Sequence, residues 1–188
     1  MRTSHLSSPE LPGTTAAPAA FRHVLGHVPT SVSVVTGTTP LGPVGVTLGS
    51  FTSVSLDPPL VVFYCGRQSS SAEAIIGSGH FCVNVLAEDQ QRVCAAFAGP
   101  ASDRFATGDW DLTAHAAPRL GGAVAWIECD VEQSFPAGDH MAVVGRVRRL
   151  SAATGRRKPL IFHRDQLVRL DRTCGVHVPT HSFDWWDM

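Results

Sequence analysis

The chain has 188 residues, 44% of them hydrophobic and 16% charged. That is enough for one domain with a real core and too short for two comfortable ones. Fifteen Lys and Arg against sixteen Asp and Glu leave a net charge of −1, which excludes the basic field that nucleic acid or an anionic membrane attracts. The opening residues hold Ser, Thr, Pro and Ala without a signal-peptide core, and no later run approaches the roughly 18 apolar residues of a membrane span. Five cysteines (Cys65, Cys82, Cys94, Cys129, Cys174) show no C-x-x-C spacing, so they read as buried free thiols of a reducing compartment. The expectation is a cytoplasmic protein with no nucleic-acid or membrane partner and no metal.

In chain order, residues 1–17 lack periodicity and read as an arm. "PAAFRHVLGHVP" sets Phe21, Val24, Leu25 and Val28 at helical spacing between Pro18 and Pro29. His23 and His27 lie four apart there, with no third ligand suggested, and read as surface residues. "SVSVVTGTTPLGPVGVTLGSFTSVS" turns to β-branched alternation around a Pro/Gly turn, which predicts two strands of a hairpin. "PLVVFYC" is a strand buried on both faces, "SSAEAIIGSG" a short helix, "FCVNVL" a strand and "AEDQQRVCAAFAG" a second short helix. An irregular segment from 98 to 122 follows. Two long strands, "AVAWIECDVEQSF" and "MAVVGRVRRLS", flank the turn "PAGDH", and "PLIFHRDQLVRL" supplies a last pair of short strands. Six or more strands, hairpin connections and brief helices predict a mainly β protein, an antiparallel barrel whose closure removes exposed edges. The predicted domain covers 18–172, followed by a tail over 173–188.

One stretch departs from pure packing. "GVTLGSFTSVSLDPPLVVFYCGRQSSS" (45–71) has the apolar content of a sheet core, yet carries glycines and hydroxyls that bury little apolar area. Gly45, Thr47, Gly49, Ser50 and Ser53 fit two readings. One is a twisted or bulged strand; the other is a platform of approachable backbone for a flat heteroaromatic ring such as isoalloxazine. The serine run stands at a strand-to-helix junction, where Ser70-x-x-Glu73 has capping-box spacing. There, Ser69, Ser71 and Arg67 with free N–H groups suit a phosphate, and both roles are compatible.

The same stretch, with "DRFA…DW", "GDHMAVVGRV" and "PLIFHRDQLVRL", resembles the flavin reductase-like family with the FMN-binding split barrel, over roughly residues 20–170. The resemblance implies a six-stranded Greek-key split barrel and a homodimer. It also implies NADH- or NADPH-driven reduction of FMN or FAD for a partner flavin-dependent monooxygenase. On it, Thr47, Leu48, Gly49, Ser50 and Ser53 line the isoalloxazine, Cys65, Gly66 and Arg67 follow the ribityl chain, and Ser69 and Ser71 hold the phosphate. Arg104 and Phe105 match a basic-aromatic pair bordering the pocket. His140 helps seat the nicotinamide, where its residue-level reading is a turn-capping histidine, and His163 sits near the same mouth. Ser70 stands where relatives often carry Lys or Arg, and Phe162 where Tyr is commoner. His115, His177 and His181 are left as surface residues. Hydride transfer between stacked rings needs no general base, in keeping with a sequence that shows no triad, paired catalytic carboxylates or G-x-G-x-x-G. The rival expectation is a flavin carrier or sensor, its pocket covered by Phe183, Trp185 and Trp186.

Overall fold

The alternation in "SVVTGTT" is that of a strand buried on both faces: Val34 and Val35 are both fully buried, but in different cores. The computed structural model describes residues 17–99, 101–114, 117–155 and 157–170. The arm up to residue 16 and the tail from 171, with Cys174, His177, His181 and the terminal aromatic residues, lie outside them, as does His115.

The elements run α1 (Pro18–Leu25), β1 (Thr30–Ser31), β2 (Ser33–Thr39), β3 (Gly42–Leu48), β4 (Thr52–Leu56), β5 (Pro59–Gly66), α2 (Ser70–Ser78), β6 (His80–Val85) and α3 (Gln91–Ala98). A 3-10 turn (Ala101–Ala106) precedes β7 (Trp110–Leu112), β8 (Pro118–Leu120), β9 (Ala125–Ala137), β10 (His140–Ala152), β11 (Ile161–His163) and β12 (Gln166–Val168). One antiparallel sheet of seven strands runs β3-β2-β6-β9-β10-β5-β4, flanked by β1-β11-β12 and the hairpin β7-β8. The antiparallel barrel expected from the sequence is thus observed.

Three readings shift in detail. Residues 31–55 hold three strands instead of two, because the chain leaves β3 at one edge of the sheet and enters β4 at the other. The segment 98–122 contains the 3-10 turn and the β7-β8 hairpin. His140 is the first residue of β10, paired with Gly66 and Ala137, so only Gly138 and Asp139 form the turn.

Two cores lie on the sheet's two faces. Val35, Val61, Phe63, Phe81, Val83, Cys129 and Val143 pack inside with Ala72 and Ile75 of α2, and Phe63 meets Phe81 edge-on at 5.3 Å. Gly145 permits this packing, since a Cβ there would lie 2.3 Å from the Phe81 ring. Outside, Val32, Val34, Val93, Phe97, Leu120 and Leu160 join α3 and the β7-β8 hairpin to β2. The described cysteines are buried free thiols; burial pushes Cys82 up to about 12 and raises Cys65, Cys94 and Cys129.

Asn84 fastens the hairpin to the barrel. Fully buried, it donates from Nδ2 to the Val34 carbonyl (3.1 Å) and Thr36 Oγ1 (3.2 Å) and accepts the Leu120 N–H at Oδ1 (2.7 Å). Asn84→Leu leaves that N–H buried without an acceptor. It is expected to lower stability by about 2 to 3 kcal/mol, read as a reduced urea midpoint; an unchanged midpoint would show that the hairpin is held by apolar packing alone.

Candidate functional site

Where β3 ends, the chain meets the end of β5 across a cleft of about 610 Å³. Its walls are Val46 to Ser50, Tyr64 to Gly66, Ser69 and His140, roofed by Phe21, Arg22 and Leu25 from α1, by Val28 just after it, and by Phe162 and Asp165 of the last hairpin. A second cleft of about 330 Å³ continues past Cys65, Gly66 and Ser69 to Arg67, Ala72, Glu73, Ile76, Ser134 and Met141.

As the last strand of its sheet, β3 has one unpaired edge. The Gly45 carbonyl leaves that edge, where it accepts from Arg104 Nη1 at 2.9 Å. Backbone direction repeats every second residue along a strand, so Thr47 turns its N–H and C=O the same way. These are the approachable peptide groups that the hydroxyl-rich stretch was read to offer. The glycines serve packing instead: a Cβ on Gly45 would lie 2.5 Å from the Phe97 ring, and one on Gly49 would lie 2.6 Å from Thr30 Oγ1. Ser50 Oγ donates to the Tyr64 carbonyl (2.8 Å) and accepts the Tyr64 N–H (3.0 Å), which ties the loop after β3 onto β5.

The helix start lies one residue earlier than the capping-box spacing suggested. Ser69 is the N-cap, its Oγ accepting the Ala72 N–H at 3.2 Å. A hydroxyl that accepts through a lone pair still has its proton to donate, so capping leaves Ser69 able to meet a phosphate oxygen at the mouth of α2. Ser71 Oγ accepts from Arg104 Nη1 at 3.1 Å, and Arg104 Nη2 donates to the Gly99 carbonyl at 2.8 Å. That guanidinium thereby joins β3, α2 and the end of α3.

The His140 imidazole flanks the cleft, 2.7 Å through Nδ1 from Asp139 Oδ1. The hydrogen bond from that ring holds the Asp139 carboxyl below the usual carboxylate range. The Asp139 side of the tie weakens as pH falls through that lowered value. Asp139 also accepts the Arg67 N–H on its backbone carbonyl at 3.2 Å, which anchors the turn to the end of β5.

Among the sequence-derived candidates, Thr47, Leu48, Gly49, Ser50, Cys65, Gly66, Ser69 and His140 line the larger cleft, and Arg67 lines the smaller one. Cys65 is buried, its Sγ 3.8 Å from the Met141 carbonyl, so backbone is what it brings to the wall. Ser53 lies outside both clefts, exposed on β4 opposite Val61, because the chain has already crossed to the far edge. Ser71 and Arg104 stand behind the wall. Phe105 packs edge-on against Phe97 (5.0 Å) and Trp110 (5.1 Å) on the outer core. His163, on β11, is half-buried and lines neither cleft.

Not anticipated as lining were Tyr64, Thr30 and the α1 face. The signal was the helically spaced stripe Phe21, Val24, Leu25 and Val28, the last just beyond α1, which joins none of the cores: Phe21 is 57% and Val28 56% exposed. Among the described residues, no group of His, Cys, Asp and Glu is placed to hold a metal ion.

The larger cleft falls within the usual range for small-ligand sites, and its exposed peptide edge, apolar walls and hydroxyl-capped helix start fit a flavin. Fold and cleft together define a class: a small antiparallel barrel that receives a flat ring where its two sheet edges meet. Residues 25–171 match the flavin reductase like domain, and the chain belongs to that family. It is 45% identical over 148 residues to a flavin reductase of Pseudomonas putida, covering 78% of this chain and 86% of that one. It superposes on nitrilotriacetate monooxygenase component B from Mycobacterium thermoresistibile with a TM-score of 0.83 and 38% identity, covering 86% and 90% of the two chains. The Streptomyces globisporus NADH:FAD oxidoreductase SgcE6, solved with NAD and FAD fragments, gives a TM-score of 0.79 at 34% identity, with coverage of 84% and 94%.

Gly66 tests the assignment of the cleft. A Cβ built there meets nothing within 4 Å, so Gly66→Leu is tolerated by the fold while its side chain enters the junction of the two clefts. Flavin affinity, followed by quenching of flavin fluorescence, is expected to fall at least about tenfold with an unchanged unfolding transition. Undiminished flavin binding would place the ligand elsewhere.

Proposed function

We propose that this protein is an NAD(P)H:flavin oxidoreductase that reduces FMN or FAD and supplies the reduced flavin to a partner flavin-dependent monooxygenase. The observation that carries this reading is the cleft itself: the free edge of β3 faces His140 across a space with a hydroxyl-capped helix start at one end. It is supported by the relatives, named as a flavin reductase, a monooxygenase component and an NADH:FAD oxidoreductase.

Bound flavin supplies the ring that accepts a hydride from the nicotinamide. The chain's own part is to bind, orient and exclude water. Outward N–H groups on β3 are donors suited to carbonyl-edged rings and to negative charge that develops on them. Leu48, Phe162 and the α1 stripe supply apolar walls. Asp139 holds the Nδ1 side of His140, which leaves Nε2 as the ring atom available to a nicotinamide carboxamide. Ser69 and Arg67 are proposed around the phosphate, with Ser71, Arg104 and Phe105 supporting the wall from behind.

We further read residues 18–172 as one catalytic domain working as a homodimer in the cytoplasm. The unburied stripe of α1 supports a second subunit as its cover, and the unpaired buried thiols suit a reducing compartment.

NADH oxidation, followed at its near-ultraviolet absorbance, is expected to depend on added FMN or FAD. His140→Ala is expected to reduce kcat/KM for NADH by up to about 100-fold while flavin binding changes little. Tight flavin binding without turnover would overturn the enzyme reading in favour of a carrier.

A further inference from the structure

Resting on the reductase reading above, we propose that Asp165 is a charge-stabilising residue of the reaction, its carboxylate countering the positive charge that forms on the nicotinamide as the hydride leaves. Asp165 lines the larger cleft from its roof, beside Phe162. It stands in the turn between β11 and β12, where His163 pairs with Gln166 and only Arg164 and Asp165 remain between the strands. Both turn residues have positive φ, 50° and 63°, and among the described residues they are the only non-glycines that do. A turn of this hand favours Asn-Gly, so Asp at the second position carries strain that a glycine would remove. The Arg164 N–H donates to the Gly26 carbonyl at 3.0 Å, which fastens the turn to the end of α1 and holds Asp165 over the cleft.

Among the described residues no ion pair or hydrogen bond engages the carboxylate, and neither Arg22 nor His140, the basic side chains on the same lining, is paired with it. It is exposed at the mouth, and a charge interaction there strengthens once a dinucleotide displaces the water. Hydride transfer breaks the C4–H bond of the neutral dihydronicotinamide and carries its hydrogen and electron pair to the flavin ring. It leaves a cationic nicotinamide facing a ring with one added negative charge, which a solvent proton neutralises. The N–H groups on the β3 edge suit the negative end of this charge separation. Asp165 supplies the anion for the positive end. Without it, the side chains of the roof offer that cation only the apolar Phe21, Leu25, Val28 and Phe162 and the like-charged Arg22.

In the test, the full chain loaded with FMN is titrated with NAD+ and with a tetrahydronicotinamide analogue of NADH, which is neutral and gives up no hydride. Asp165→Asn and Asp165→Gly remove the charge with residues that a positive φ suits, so unfolding midpoints at or above that of the wild type are expected. NAD+ affinity is expected to fall about tenfold in both variants, the size of a partly desolvated charge pair, while the neutral analogue binds as before. In single-turnover mixing with NADH, bleaching of the flavin is expected to slow about threefold, since only part of the charge has formed in the transition state. Retained NAD+ affinity, or an unchanged bleaching rate, would overturn the role. So would an equal loss for the two nucleotides, which would make the carboxylate an acceptor for hydroxyls they share. A wild type that does not oxidise NADH with added flavin would count instead against the reductase reading, which the titrations with the two unreactive nucleotides do not measure.

Discussion

The fold depends on one short connection. β3 and β4 are the two edges of a seven-stranded sheet, yet only Gly49, Ser50 and Phe51 join them. Six interstrand spacings would set the edges of a flat sheet roughly 29 Å apart; the linker, fully extended from Leu48 to Thr52, reaches about 14 Å. The sheet therefore rolls until its edges meet. Ser50 fixes the closure by bonding both backbone groups of Tyr64, and Gly49 lets the turn pass against Thr30.

That constraint makes the cleft. The two edge strands, β3 and β4, are not paired with each other, so part of β3 stays unpaired beside the end of β5. Unpaired peptide groups at a sheet edge are a hazard when exposed and a resource when covered by a ligand. Arg104 covers one of them, the Gly45 carbonyl, and Thr47 offers the next pair. The turn at Gly138 and Asp139 brings His140 to the same mouth because β10 pairs with β5 in a register that sets His140 opposite Gly66.

Support and contact are divided between residues in a way that composition does not reveal. Gly45, Gly49 and Gly145 each admit a neighbouring side chain, while Gly66 opens onto empty space. Arg104, Phe105 and Ser71 build the wall from behind, whereas Arg67 and Glu73 line the smaller cleft.

By itself, the sequence determined the local elements and, through its family resemblance, the class of ligand. The 3.6-residue spacing of α1, the alternation of β2 and β5 and the serine-led start of α2 are properties of neighbouring residues, and they already pointed to an antiparallel barrel; the hydroxyl-rich stretch after Gly45 left a bulged strand and a ring platform both open, and the flavin came from the family resemblance. Tertiary structure decided which hydroxyls and glycines face the ligand. A strand shows two faces and two edges, and the choice among them follows from contacts with residues tens of positions away: Phe97 against Gly45, Thr30 against Gly49, Tyr64 against Ser50. Ser53 illustrates the gap, since its chemistry equals that of Ser50 and only the crossing to the opposite edge removes it from the cleft. α1 illustrates the converse, because its apolar stripe was legible while its position above that cleft was set by the roll of the sheet beneath it.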